Sequence, residues 1–316
     1  MGELAALVAA LNWSCVSVLL ARLSGKTSPV VLSGLRLSIA SCVLPFILLA
    51  SGQAGDIAAA PWTAIVAMVG SGFIGYGLGD TMYIRALQLK GLQHTFPITT
   101  AIFIGLTVVG GALFLGETVT WGLPAGALLI GAGVYAIVVQ GAGSGRMEPV
   151  AAAEPALATL VEMTEEPSAA VGRLSNATGY LFMVATGIVW AAATLWLASG
   201  RKDLGAVAAG SLRAPAGAVG LICFALATQR KALFEPFKDR RHIGLIAVAG
   251  LAGTAFGSLL YVYAVGAAGA GRTAVLNATA PVMGMPLSVL FLGEKLTKRI
   301  AIGTAVCVVG IVMVVS

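Results

Sequence analysis

Four ionisable residues stand inside long apolar runs: Arg36, Asp80, Arg213 and, nearer a run's end, Arg85. A charge in such a place is costly and marks either a functional site or an internal ion pair. Asp80 closes the stretch SGFIGYGLGD, Ser71 to Asp80. Three chemistries compete for it. A phosphate-cradling loop needs glycines between a strand and a helix, with a Lys following, and no G-K-[ST] follows here. An intramembrane aspartyl protease fits G-L-G-D, but it needs a second aspartate in another span, because two carboxylates must share a proton to activate water. Asp56, Asp203 and Asp239 all fall in or beside expected loops. The third reading is a helix packed closely on its neighbours. Ser71, Gly75 and Gly79 form a small-residue stripe, and Ala249, Gly253 and Gly257 repeat it later in the chain. Asp80 can then neutralise Arg36 or Arg85. Arg213 differs, because Ser258 stands where the first half has Asp80. Arg213 is therefore expected to line a cavity and attract an anionic group of a small-molecule substrate.

Trp13, Trp190, Tyr83, Tyr261 and Tyr263 are the aromatic candidates for stacking on that substrate. Anchoring at the membrane interface is the alternative, and Trp13 and Trp190 lie near mid-run. Asn12 and Asn277 must each find a hydrogen-bond partner inside a bundle. His94 and His242 stand at run edges, too far apart in sequence to suggest a metal site. Cys15, Cys42, Cys223 and Cys307 lie in apolar runs and read as small core residues, with neither disulfide nor metal expected. No cofactor and no ATP-binding motif is expected, so ion or substrate gradients would drive any transport.

These residues need a membrane-embedded frame. The 316 residues are 58% hydrophobic and 10% charged, with a mean hydropathy of +0.95. A soluble domain carries about 25% charged residues, so the composition implies a polytopic membrane protein with the lipid bilayer as partner. The net charge of +6 gives no sign of nucleic-acid binding, since basic residues cluster between apolar runs, where cytoplasmic loops belong. Runs long enough to span a bilayer as helices fall at 4–22, 28–50, 62–85, 94–115 and 121–140, then at 178–199, 204–227, 243–265, 272–292 and 298–315. Between the two sets, residues 141–177 are rich in Pro, Gly, Ser and Glu and read as a linker or short surface helix. The first run has no basic residues ahead of it, so it reads as a span rather than a leader.

The two sets resemble each other. Trp13 and Trp190, Arg36 and Arg213, and the two LFLGE stretches ending at Glu117 and Glu294 all share an offset of 177. In the third and eighth spans the offset is 178, pairing Gly75 with Gly253, Gly79 with Gly257 and Tyr83 with Tyr261. An odd number of spans per copy makes the second copy enter the membrane from the opposite side. The expected fold is an all-α integral membrane protein of ten transmembrane helices in two inverted five-helix repeats, residues 1–140 and 178–316. Gly75, Gly79, Gly253, Gly257, Glu117 and Glu294 are assigned to structure, the two glutamates by favouring the dipole at the start of the next helix.

Ten spans in two copies, each closing with G-E and a Gly-rich span (GETVTWGLPAGALLIGAG; GEKLTKRIAIGTAVCVVG), resemble the EamA-type branch of the drug/metabolite transporter superfamily. VLNATAPVMGMPLSVLFLGEKLTKRIAIG, with Pro281 and Gly293-Glu294, carries the resemblance best; the first copy has Ile104 where the second has Pro281. The resemblance implies a non-enzymatic carrier of small polar metabolites such as amino acids, working outward by alternating access. It also implies residence in a bacterial or archaeal cell membrane. The related small multidrug exporters carry a glutamate in their first span, and this chain has none there. An uptake carrier for an organic anion is the alternative that Arg213 raises. A membrane-embedded enzyme or a non-transporting scaffold are the more distant ones. Most of the 19 basic residues lie in loops after odd-numbered spans, which places the linker in the cytoplasm and both termini outside. The resemblance implies both termini inside.

Overall fold

The computed structural model describes residues 1–141, 169–280 and 298–315, and all regular structure among them is helical. In chain order the elements begin with α1 (Gly2–Ser24), α2 (Pro29–Ser51), the short α3 (Ala54–Ala59) and α4 (Trp62–Gly72). A π-helical segment, Phe73–Gly79, joins α4 to α5 (Asp80–Leu115), and α6 (Gly122–Gly141) ends the first half. The second half has α7 (Ala169–Gly200), α8 (Ala206–Thr228), the short α9 (Arg230–Phe234) and α10 (Arg240–Ala249). A second π segment, Gly250–Gly257, leads into α11 (Ser258–Ala268), followed by α12 (Ala270–Asn277) and α13 (Lys298–Val315).

Among the described residues, 7 helical stretches are long and apolar enough to cross a bilayer: Gly2–Ser24, Pro29–Ser51, Trp62–Lys90, Ile98–Leu115, Ala177–Asp203, Ala206–Thr228 and Arg240–Ala268. Gly122–Gly133 and Ala305–Val315 are shorter apolar helices. The expected ninth span starts as α12 and passes into residues 281–297, so Pro281 and Glu294 lie outside the described residues. The linker is also entered from both sides, by α6 to Gly141 and by α7 from Ala169.

Local chemistry explains the helix ends. Pro29 opens α2, where its missing N–H costs nothing. Gly52 (φ 71°) and Gly116 (φ 66°) close α2 and α5 in the left-handed region that glycine adopts freely. The turn expected after the third span falls within backbone that is helical from Asp80 to Leu115. Its neighbours nevertheless show the chain reversing. Sites for a Cβ on Gly79 and Gly179 meet Trp190 and Lys90, an antiparallel run along α7. Further on, Gly187 meets Thr99 and Ile102, and Gly110 meets Leu195, a parallel one.

Glycine sets the close approaches between halves. A Cβ on Gly126 would lie 2.6 Å from the Gly310 carbonyl oxygen, and one on Gly133 would lie 2.6 Å from that of Gly303, which seats α6 on α13. A Cβ on Gly250 would come within 2.8 Å of the Arg36 carbonyl oxygen. One on Gly72 would overlap the Arg213 carbonyl oxygen and reach within 2.6 Å of its Cα. Likewise Gly75 faces Ala193 and Gly253 faces Val16. Of the cysteines expected in the core, Cys307 alone is buried. Cys15, Cys42 and Cys223 are exposed, on outer faces that suit lipid.

Polar contacts join the halves at both ends of the bundle. At the end where α1 meets α2, Thr27 Oγ1 lies 2.7 Å from His242 Nε2, and Ser28 donates to Gln229. At the other end, Gln53 and Asp56 accept from backbone N–H groups at Gly205, Val207 and Ala208, where α8 begins. Glu117 accepts from Ala270 N–H (2.6 Å) and Gly271 N–H (2.9 Å) at the start of α12. This corrects the expectation that Glu117 serves the next helix: it caps one in the opposite half, more than 150 residues later. The backbone at Gly269 (φ 87°) brings those two N–H groups round to the carboxylate.

Candidate functional site

Between the halves lies a cavity of about 120 Å³. Each half contributes the same kinds of element. Trp13 comes from α1 and Arg36 from α2, while Gly75 and Tyr76 come from the first π segment and Asp80 from the start of α5. Opposite them stand Trp190 and Thr194 on α7, Arg213 on α8, Gly253, Thr254 and Gly257 in the second π segment, Ser258 and Tyr261 on α11, and Asn277 on α12. Thr100 and Phe103 of α5 complete the wall on the first side.

The charges are arranged unequally. Arg36 Nη2 donates to Asp80 Oδ2 at 2.7 Å, and both residues are buried, 1% and 6% exposed. Trp190 Nε1 donates to the other carboxylate oxygen at 3.1 Å. Asp80 therefore pairs with Arg36 and not with Arg85, which is exposed and donates to Gln88 Oε1. Arg36 Nε and Nη1 are buried without an acceptor among the described residues. Arg213, 2% exposed, meets no carboxylate there. Its guanidinium lies 4.5 Å from the centre of the Tyr76 ring, and Nη1 donates to the Tyr76 hydroxyl at 3.2 Å. The ring face and the hydroxyl oxygen both favour the cation, but neither neutralises it. Gly75 leaves room beside Arg213 Nη2, since a Cβ there would stand 3.7 Å away.

The aromatic candidates divide. Trp13 and Trp190 meet edge to face with centroids 5.9 Å apart, and Phe103 stands edge-on to Trp190 at 6.3 Å. Tyr261 lines the cavity with its hydroxyl 2.9 Å from Thr194 Oγ1. Tyr83 does not line it. It is 1% exposed and packs behind both tryptophans, 5.0 Å from Trp190 and 6.0 Å from Trp13, so it supports the wall rather than facing a ligand. Tyr263 points outward, 42% exposed. Gly79 is likewise a packing position, where a Cβ would strike the Trp190 indole at 2.6 Å. Asn12 donates to the Ala252 carbonyl at 2.9 Å, inside the second π segment.

Sequence reasoning passed over Tyr76, Thr194 and Thr254. Tyr76 carried a signal, lying four residues before Asp80 in the same Gly-rich stretch. The π segments carried none that α-helical periodicity registers, although such turns concentrate at functional sites.

The comparisons with known proteins agree with this architecture. No curated protein matches the chain. A solved structure titled only "Crystal structure of protein" is similar in fold, with a TM-score of 0.71 at 19% identity over 99% of this chain and 96% of the other. The model of the EamA-like transporter family, a family of transporters rather than enzymes, matches residues 1–139 and again 177–316. The chain is an integral, multi-pass membrane protein that belongs to the EamA-like transporter family.

Proposed function

We propose that this protein is a secondary carrier that exports small polar metabolites, amino acids or related compounds, by alternating access. In this reading its ten spans form two inverted five-helix repeats, residues 1–140 and 178–316, joined by the linker 141–177, in a bacterial or archaeal cell membrane. The matched contacts support the inversion: Gly72 lies on Arg213 as Gly250 lies on Arg36, and Gly75 on Ala193 as Gly253 on Val16. The observation that carries the function is the cavity between the halves, where Arg213, which meets no carboxylate among the described residues, stands beside tryptophans from both halves. Arg213 takes the substrate's anionic group and Trp13 and Trp190 its body, while the halves rock around the site.

Metabolite profiling of cells and medium tests this, comparing the unmodified chain, Arg213→Gln and an empty vector. Export predicts one compound class enriched outside only with the unmodified chain. Unchanged transport by Arg213→Gln removes Arg213 from the site. Uptake of an organic anion is the second reading, favoured because Arg213 meets no acid among the described residues, and predicts accumulation inside.

A further inference from the structure

We propose that the cavity selects its ligand by net charge, and that the class it takes is a small organic acid carrying a net charge of minus one. The proposal rests on the reading of this cavity as the carrier's substrate site. Among the described lining residues, the ionised groups are two guanidiniums and one carboxylate: Arg36, Arg213 and Asp80. The other polar linings, such as Asn12, Thr194, Tyr261 and Asn277, carry no charge of their own.

Arginine stays protonated in any protein setting, so neither guanidinium can shed its charge. The 2.7 Å pair of Arg36 with Asp80 balances one of them. Tyr76 solvates the other without cancelling it. One positive charge is left over, in a site where Arg213 is 2% exposed. A buried charge without a counter-charge is strongly disfavoured. A ligand of net charge minus one closes the balance. A zwitterion of net zero leaves the positive charge standing, a cation doubles it, and a dianion reverses it. The class includes simple monocarboxylates and amino dicarboxylates, and it excludes neutral zwitterionic and basic amino acids as preferred ligands.

The rule can be rewritten one residue at a time. Arg213→Gln brings the cavity to zero and moves the preference to net-neutral ligands. Asp80→Asn brings it to plus two and moves the preference to dianions. Removing both members of the pair, Arg36→Gln with Asp80→Asn, keeps the balance at plus one and keeps the preference at minus one. This double variant also serves where Asp80→Asn alone fails to fold.

The test is binding of four similar-sized probes to the purified full chain in lipid nanodiscs: glutamate, glutamine, glutarate and lysine. The unmodified chain is expected to bind glutamate at least about tenfold more tightly than the other three, a difference of one decade in Kd. Glutamine should lead in Arg213→Gln, glutarate in Asp80→Asn, and glutamate again in the double variant. A wild-type preference for glutamine or lysine, binding of none of the four, or an order unmoved by Arg213→Gln overturns the proposal. Flux of the same probes into liposomes separates the two readings. Glutamine carried better than glutamate keeps the carrier and discards the charge rule. Glutamate bound but never carried keeps the charge rule and discards the carrier.

Discussion

Arg36 and Arg213 are set in matching backbone surroundings. Each lies on the second helix of its half, and each presses its backbone against a glycine of the other half, Gly250 for Arg36 and Gly72 for Arg213. Their side chains part company. Arg36 ends on a carboxylate at 2.7 Å, whereas Arg213 ends on a phenol. The divergence traces to two positions: Asp80 is matched by Ser258, whose hydroxyl turns back to the Ala255 carbonyl, and Tyr76 is matched by Thr254. A recurring frame can thus hold a closed ion pair on one side and an open cation on the other. In the proposed function it is the second that meets the substrate.

The largest effect that would break this comparison is at Arg36. Arg36→Ala leaves Asp80 buried without its partner, which costs about 3–5 kcal/mol in comparable pairs. Unfolding in mixed micelles should show that loss, while Arg213→Gln, which removes no salt bridge seen among the described residues, should lose far less. Equal losses would mean that the two sites are energetically alike. The frame is tested next by Gly72→Ala and Gly250→Ala. Both force a methyl group onto backbone, at a cost of about 1–3 kcal/mol for overpacking. Gly72 should suffer more, because its methyl would overlap the Arg213 carbonyl, while that on Gly250 would stand 2.8 Å from the Arg36 oxygen. The last test is at Tyr76. Tyr76→Phe keeps the ring under Arg213 and removes one hydrogen bond from a charged group, worth about 1.5–3 kcal/mol. The same unfolding measurement should detect it, and a loss as large as that at Arg36 would show the phenol doing more than solvating the cation.

Much of this was legible in the sequence. Trp13 and Trp190, and Arg36 and Arg213, stood out because identical rare residues recurred at one offset, and all four line the cavity. The pairing of Asp80 was legible only to a choice between Arg36 and Arg85, because sequence spacing does not say which neighbouring helix lies closer. Tyr83 also recurred, at the offset of 178, and still stands behind the wall, since a matched position does not fix which way a side chain faces. The π segments were hidden for a different reason. Ser71, Gly75 and Gly79 suit an α-helical stripe, and the wider turn of Phe73–Gly79 goes with the tight seating of Gly72 and Gly79 on Arg213 and Trp190. Glu117 could not be traced to Ala270, because the contact crosses from one half to the other.

The caps at Gln53, Asp56 and Glu117 also bear on how the chain is made. All three acceptors belong to the half that leaves the ribosome first, and the N–H groups they receive belong to helices synthesised later. When α8 and α12 enter the bilayer, acceptors for their exposed starts are already waiting, where lipid could offer none. A first half expressed alone loses nothing it needs from these contacts. A second half expressed alone begins two helices with bare N–H groups, and should depend on the first as its template for insertion.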